Sequence, residues 1–157
     1  MSGNYICTIC KEDGGCDCED AIILDKKLKK TIILKCNDIN NNETLKNLID
    51  RVITSNRYLD FVCENITPLT EACYYGNYDF AEYLIVRGAN VNFPDALDNT
   101  PLHRACENCH LEIVELLIAN GATKNCENAY SDTPKDLASY CNDSEERTKI
   151  IERLTKR

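Results

Sequence analysis

Thr100-Pro101-Leu102-His103-Arg104-Ala105-Cys106 echoes a stretch 33 residues earlier, Thr67-Pro68-Leu69-Thr70-Glu71-Ala72-Cys73. A third copy, Thr133-Pro134-Lys135-Asp136-Leu137-Ala138, lies 33 residues further on. Gly88-Ala89 returns at the same interval as Gly121-Ala122. A constant period with landmarks in constant phase is the mark of a solenoid, in which each unit packs only on its neighbours. Solenoids present long surfaces, so the pattern points to binding before any catalytic group is weighed.

Local chemistry assigns helices to each copy. Thr100 is a capping residue, and Pro101 suits the first helical turn, where its missing N–H costs nothing. A second helix is predicted over Leu111–Ile118, with Ile113, Val114, Leu116 and Leu117 as its buried stripe. Gly121 then stops it, as a glycine past a helix end does in the left-handed region. The preceding copy repeats the plan, with Leu69, Ala72 and Cys73 on the first helix and Phe80–Val86 as the second, ending at Gly88. In the last copy the second helix, Glu145 to Leu154, has one apolar stripe (Ile150, Ile151, Leu154) and is otherwise charged, as suits a terminal unit with one bare face.

Upstream the pattern decays. Thr31–Cys36 lies 36 residues before Thr67, and Leu45, Leu48, Ile49 and Val52 make a second helix. The organisation expected is a cysteine-rich segment 1–24, a degenerate capping repeat 25–58 with a small insertion at Asn37–Asn42, repeats 59–92 and 93–125, and a closing repeat 126–157.

Size and charge bound the function. At 157 residues the chain is one domain's worth. No apolar run is long enough to span a bilayer, and the first twenty residues lack the apolar core of a secretory signal. The expected setting is cytoplasmic, extending to the nucleus, where a reducing environment keeps the eleven cysteines as free thiols. Cys73 and Cys106 then serve as small buried apolar side chains. The net charge of −8 is concentrated in residues 59–125, which hold ten acidic and three basic side chains. Such a segment repels phosphate backbones, so nucleic acid is not an expected partner; a protein with a basic surface complements it, unless the acidity serves only solubility.

The quoted segments resemble the ankyrin repeat, closely in Thr100–Ala105 and His110–Leu117, well in Gly88-Ala89-Asn90-Val91-Asn92, and recognisably in Thr133-Pro134 with Asp136-Leu137-Ala138. The resemblance implies an all-α solenoid of antiparallel helix pairs with β-turn fingers at Cys63–Ile66, Ala96–Asn99 and Ala129–Asp132. It also implies a non-catalytic, monomeric protein-interaction module, an adaptor or inhibitor. Partner contacts are expected from the exposed inner-helix positions Glu71, Tyr74, Tyr75, Arg104, Glu107, Asn108, Tyr140 and Cys141, and from the finger residues Leu97, Asn99, Tyr130 and Asp132. Tyr74-Tyr75 is the leading anchor, since tyrosine buries a large ring and keeps a hydroxyl for bonding; the alternative is that these rings pack between repeats. The chain departs from the family where Cys109 and Asn142 replace the glycine kept at Gly76. It departs again where Asn65, Asp98 and Ser131 replace the finger glycine. Cysteine tolerates the left-handed region poorly, so the turn at Cys109 is expected to be altered or strained.

Few residues suggest chemistry. Cys7, Cys10, Cys16 and Cys18 surround Gly14-Gly15 and offer four sulfurs to one tetrahedral zinc ion. A zinc module of this kind recruiting ubiquitination machinery is a rival reading of function, a non-binding reduced segment in a purely structural protein another. Cys106-Glu107-Asn108-Cys109-His110 matches a haem-attachment pattern, but both flanks belong to the repeat, and the two histidines, His103 and His110, are repeat residues. No phosphate-binding loop or nucleophile motif is present. Lys26-Lys27-Leu28-Lys29-Lys30 reads as a solvated helix or turn ahead of a nuclear-import patch.

Overall fold

Each Thr-Pro begins a short helix, and the reason is visible in its first turn. Thr67 and Thr70 exchange backbone-to-hydroxyl bonds, with Thr70 N–H donating to Thr67 Oγ1 (3.1 Å) and Thr67 N–H to Thr70 Oγ1 (3.0 Å). Thr133 and Asp136 repeat the reciprocal cap. In the central copy His103 replaces the hydroxyl, and Thr100 N–H donates to its Nδ1 at 3.1 Å. Two otherwise orphaned backbone donors are satisfied at most of these starts, a gain of about 1 kcal/mol per cap.

The structure, a computed structural model, describes residues 26–36, 38–52, 59–61, 63 and 65–156. Among these residues it contains eight α-helices and no strand: α1 Lys26–Lys35, α2 Asn42–Val52, α3 Pro68–Tyr74, α4 Tyr78–Val86, α5 Pro101–Glu107, α6 Leu111–Ala119, α7 Pro134–Ala138 and α8 Ser144–Thr155. A 3-10 turn, Ile39–Asn41, occupies the expected insertion. The lysine-rich run forms the first half of α1. No described helix is long and apolar enough to cross a membrane.

Odd-numbered helices stack as an inner layer and even-numbered ones as an outer layer, each packing on its counterpart in the next pair. The core runs between the layers. Leu69, Ala72 and Cys73 of α3, Phe80 and Leu84 of α4, Leu102, Ala105 and Cys106 of α5, and Ile113, Val114 and Leu117 of α6 are all buried. Each of the large ones contributes roughly 1.5–3 kcal/mol. Leu116, expected in the buried stripe of α6, is only partly covered. The first pair joins the same core through Ile32, Cys36, Leu45 and Ile49.

Polar groups tie the pairs together where the core does not reach. Asn42 and Asn77 are buried and exchange amide bonds, Asn42 Nδ2 to Asn77 Oδ1 at 2.9 Å and Asn77 Nδ2 to Asn42 Oδ1 at 2.8 Å. Asn77 also donates to the Cys36 carbonyl and caps α4 by accepting from Phe80 N–H. His110 holds the corresponding place one repeat on, bonding the Tyr74 carbonyl at 3.1 Å. Its ring fills the space over Gly76, where an added Cβ would sit 2.6 Å from His110 Cε1.

The turn at Cys109 is not rebuilt. Cys109 adopts φ 64°, the conformation of its counterpart Gly76 at 74°, and carries the strain of a left-handed non-glycine residue. Asn142 does not share it, so the last inner turn takes another path. The finger substitutes Asn65, Asp98 and Ser131 all sit at positive φ, 72°, 58° and 62°, and so preserve the turn. Backbone bonds link successive fingers, from Ala96 N–H to the Asn65 carbonyl and from Ala129 N–H to the Leu97 carbonyl.

The expectation that every cysteine is a free thiol is corrected at one place. Cys109 and Cys141 form a disulfide with Cα atoms 5.7 Å apart, a separation that suits the bond. Cys141, expected as an exposed inner-helix position, is accordingly buried.

Candidate functional site

Five of the expected contact residues come together. α3 presents Glu71 from its first turn and Tyr74 at its end, Tyr75 follows as its C-cap, and α5 presents Arg104 and Glu107 beside them. With Ile66 they line an open groove of about 250 Å³. The spacing explains the convergence: positions three and four apart share a helix face, and the 33-residue period brings α5 alongside α3.

The tyrosines lie partly exposed at the surface, and Tyr74 also packs against the next repeat through Arg104. Tyr74 is 37% and Tyr75 42% exposed. Their rings meet edge to face with centroids 5.1 Å apart, and the Arg104 guanidinium lies 5.8 Å from the Tyr74 centroid. Contacts of these kinds hold the rings in place before any partner arrives.

Arg104 itself is largely committed. It reaches the Asp95 carboxylate through Nε (3.1 Å) and Nη2 (2.6 Å), and Glu107 through Nη1 (3.1 Å). Burial alone would lower its pKa, but the bonds and charges of Asp95 and Glu107 outweigh that and raise it. Asp95, buried, also accepts from Leu97 and Asn99 N–H and so shapes the finger. Glu71 differs: no described residue hydrogen-bonds or ion-pairs its carboxylate. Burial raises its pKa, and the Arg104 charge offsets part of the rise. The groove therefore carries one locked cation and more negative charge than that cation balances.

The finger residues divide. Leu97 and Tyr130 are exposed, Tyr130 at 68%. Asn99 is not available, which corrects its place among the contacts: it is buried, and its Oδ1 accepts from Asn128 Nδ2 at 2.8 Å. Asp132 is half-covered, and its carbonyl bonds His103 Nε2 at 3.1 Å. Asn108 turns back on its own helix to donate to the Arg104 carbonyl. Tyr140 is 73% exposed at the far end of the inner layer.

The remaining chemistry is structural. His103 is buried, with Nδ1 accepting from Thr100 N–H, so the proton of the neutral ring sits on Nε2 and donates to Asp132. Burial lowers its pKa. Cys106 is buried, its thiol pushed up to about 12, and Cys109 is bonded to Cys141, so neither sulfur of the haem-like pattern is available. Among the described residues no group of three or more His, Cys, Asp or Glu side chains is placed to hold a metal ion. The zinc expectation falls on Cys7, Cys10, Cys16 and Cys18, which lie outside the described residues.

Comparison with known families agrees with this architecture. The ankyrin-repeat family, in three copies, matches residues 32–128, more than half of the chain. The chain is an ankyrin-repeat protein. Curated proteins give no significant match. Ankyrin repeats generally mediate protein–protein interaction and are typically non-catalytic. The match begins within α1 and ends ahead of α7.

Proposed function

We propose that this ankyrin-repeat chain is a non-catalytic adaptor or inhibitor that docks a partner protein on the groove between α3 and α5. The observation that carries the reading is the convergence of Glu71, Tyr74, Tyr75, Arg104 and Glu107 on one groove. Two adjoining, half-exposed tyrosines supply the kind of anchor that dominates interface energies. Leu97 and Tyr130 on the fingers extend the contact. The partner presents basic side chains to the groove, because Arg104 is already balanced by Asp95 while Glu71 is not. The acidic excess of residues 59–125 favours its approach. The protein acts as a monomer in the cytoplasm, with the nucleus open to it; light scattering of the purified chain and imaging of a tagged copy test these two points.

The test is the pair Tyr74→Ala with Tyr75→Ala, compared with wild type in quantitative affinity capture from cell extract. Proteins retained by wild type should drop more than ~30-fold, the loss of one strong anchor of about 2 kcal/mol. The melting temperature should stay nearly unchanged, since neither residue belongs to the core. Undiminished capture, or a large loss of thermal stability, removes the reading.

A further inference from the structure

We propose that Cys109 and Cys141 form a reversible redox site that fastens the last helix pair to the solenoid, closed by a small-molecule disulfide of the glutathione class and opened by the corresponding thiol. The site uses none of the groove-lining residues and does not rest on the partner-binding reading.

Its position gives it a task. The last pair buries little of its own surface, and no further repeat covers its outer side among the described residues. α7 has five residues and buries only Pro134 and Ala138, while α8 buries only Ile150 and Leu154. By contrast α3 alone buries five residues, and other helices cover it on both sides. The polar ties of α8 to the preceding unit are exposed: Arg153 Nε to Glu115, and Lys124 Nζ to the Arg153 and Lys156 carbonyls. Exposed pairs of this kind contribute little. The disulfide crosses from the turn after α5 to the residues just after α7, spanning 32 positions, and so ties the last pair covalently to the unit before it.

Of the other described thiols, Cys63 is buried, Cys126 is half-exposed with its Sγ on the Thr123 carbonyl, and the remaining three are poorly suited to this chemistry. Cys36, Cys73 and Cys106 are buried, and burial pushes each thiol up, away from the reactive thiolate. Cys109 is half-exposed on its turn, while Cys141 is 3% exposed. Small thiols and disulfides therefore reach Cys109, and Cys141 resolves. On closing, the Cys109 thiolate attacks one sulfur of the glutathione disulfide, releases one glutathione thiolate and leaves a mixed disulfide. The Cys141 thiolate then attacks the Cys109 sulfur and expels the second glutathione thiolate. Two protein thiols are oxidised, one disulfide is reduced to two thiols, and two protons pass through solvent from the cysteines to the leaving groups. Opening runs the same steps in reverse. The freed Cys141 S–H has the Asp143 carbonyl at 3.6 Å to bond. In a reducing compartment such a pair rests open and closes under oxidation, the usual use of a cytosolic disulfide.

The experiment takes the full chain through excess glutathione disulfide or excess glutathione, then alkylation, tryptic mapping and amide hydrogen exchange. Under oxidation the peptide 105–124 should appear linked to 136–147, with fragmentation placing the bond at Cys109 and Cys141. Exchange across 134–155 should slow on the order of 30- to 1,000-fold, the range for a loop of this size, while α3 and α4 change little. Cys141→Ser and Cys109→Gly should match the reduced protein and ignore redox state; glycine is the residue that the equivalent turn holds at Gly76, so the second variant keeps the fold. Absence of the linked peptide under oxidation overturns the proposal, and so does equal exchange of 134–155 in both states.

Discussion

Replacing Arg104 with leucine should cost about 2–3 kcal/mol of stability, while the double change Asp95→Asn with Arg104→Leu should cost about 1 kcal/mol or less. The Asp95 side chain is 1% exposed and Arg104 21% exposed, with the closest approach 2.6 Å. Stripping one partner from a buried pair ordinarily costs about 3–5 kcal/mol, because the other charge stays buried without its counter-ion. Here Asp95 keeps two backbone donors, from Leu97 and Asn99, which places the loss at or just below the low end of that range. Asparagine at 95 retains an oxygen for those donors and carries no charge to strand. The protein already contains this arrangement. One period on, Asn128 accepts from Tyr130 and Asp132 N–H in the same turn, and the position equivalent to Arg104 is Leu137. The assay is a double-mutant cycle by urea unfolding followed by circular dichroism, with a coupling of about 2 kcal/mol expected. If the single losses simply add, to within the ~0.3–0.5 kcal/mol usual for independent sites, the ion pair is not what holds Asp95 in the finger.

The neutral form of His103 is the one that the fold uses, and burial lowers its pKa from the ordinary 6.5. The unfolded chain therefore takes up a proton at a higher pH than the folded one. Stability from this group is whole above about 6.5 and is lost as pH falls from there towards the folded-state value. Melting temperature measured from pH 7.5 to 5 should decline in wild type and decline less in His103→Gln; equal slopes would deny the histidine this part. Two glycines with similar backbones separate steric from conformational cost. Gly121→Ala, at φ 86° with nothing within 4 Å of the new Cβ, should lose about 1–2 kcal/mol for the left-handed backbone alone. Gly76→Ala must also displace the His110 ring from 2.6 Å, so its chemical-denaturation midpoint should fall further; equal losses would mean that the ring moves aside freely.

The helices were legible because the chemistry that begins and ends them is local. Thr-Pro caps, the stripes of α4 and α6 and the glycines at 88 and 121 act within a turn of where they stand in the chain. Contacts between repeats were harder to read. Their separations scatter about the period: 29 for His103 to Asp132, 31 for Asn92 to Thr123, 32 for Cys109 to Cys141, 35 for Asn42 to Asn77 and 36 for His110 to Tyr74. A side chain can reach forward or back along the neighbouring unit, so periodicity names the neighbourhood of a partner without naming the partner. Asn99 and Cys141 were misplaced for this reason. Both stand where the family exposes side chains, but a cross-repeat bond, to Asn128 in one case and Cys109 in the other, draws each inward.

Comparing the copies with one another recovers part of what periodicity misses. The positions 62 and 71, 95 and 104, and 128 and 137 are equivalent pairs, and they read Val-Glu, Asp-Arg and Asn-Leu. Only the central copy has both charges, and there the base is drawn from the surface to neutralise a buried acid. In the copy before it the sequence places no acid at 62 and puts an acid, Glu71, where the base would be. Glu71 has no hydrogen-bond or ion-pair partner among the described residues, and the cation whose charge acts on it, Arg104 on the adjoining helix, is already held by Asp95. The same repeat position is consumed by the fold in one copy and left to the groove in the next.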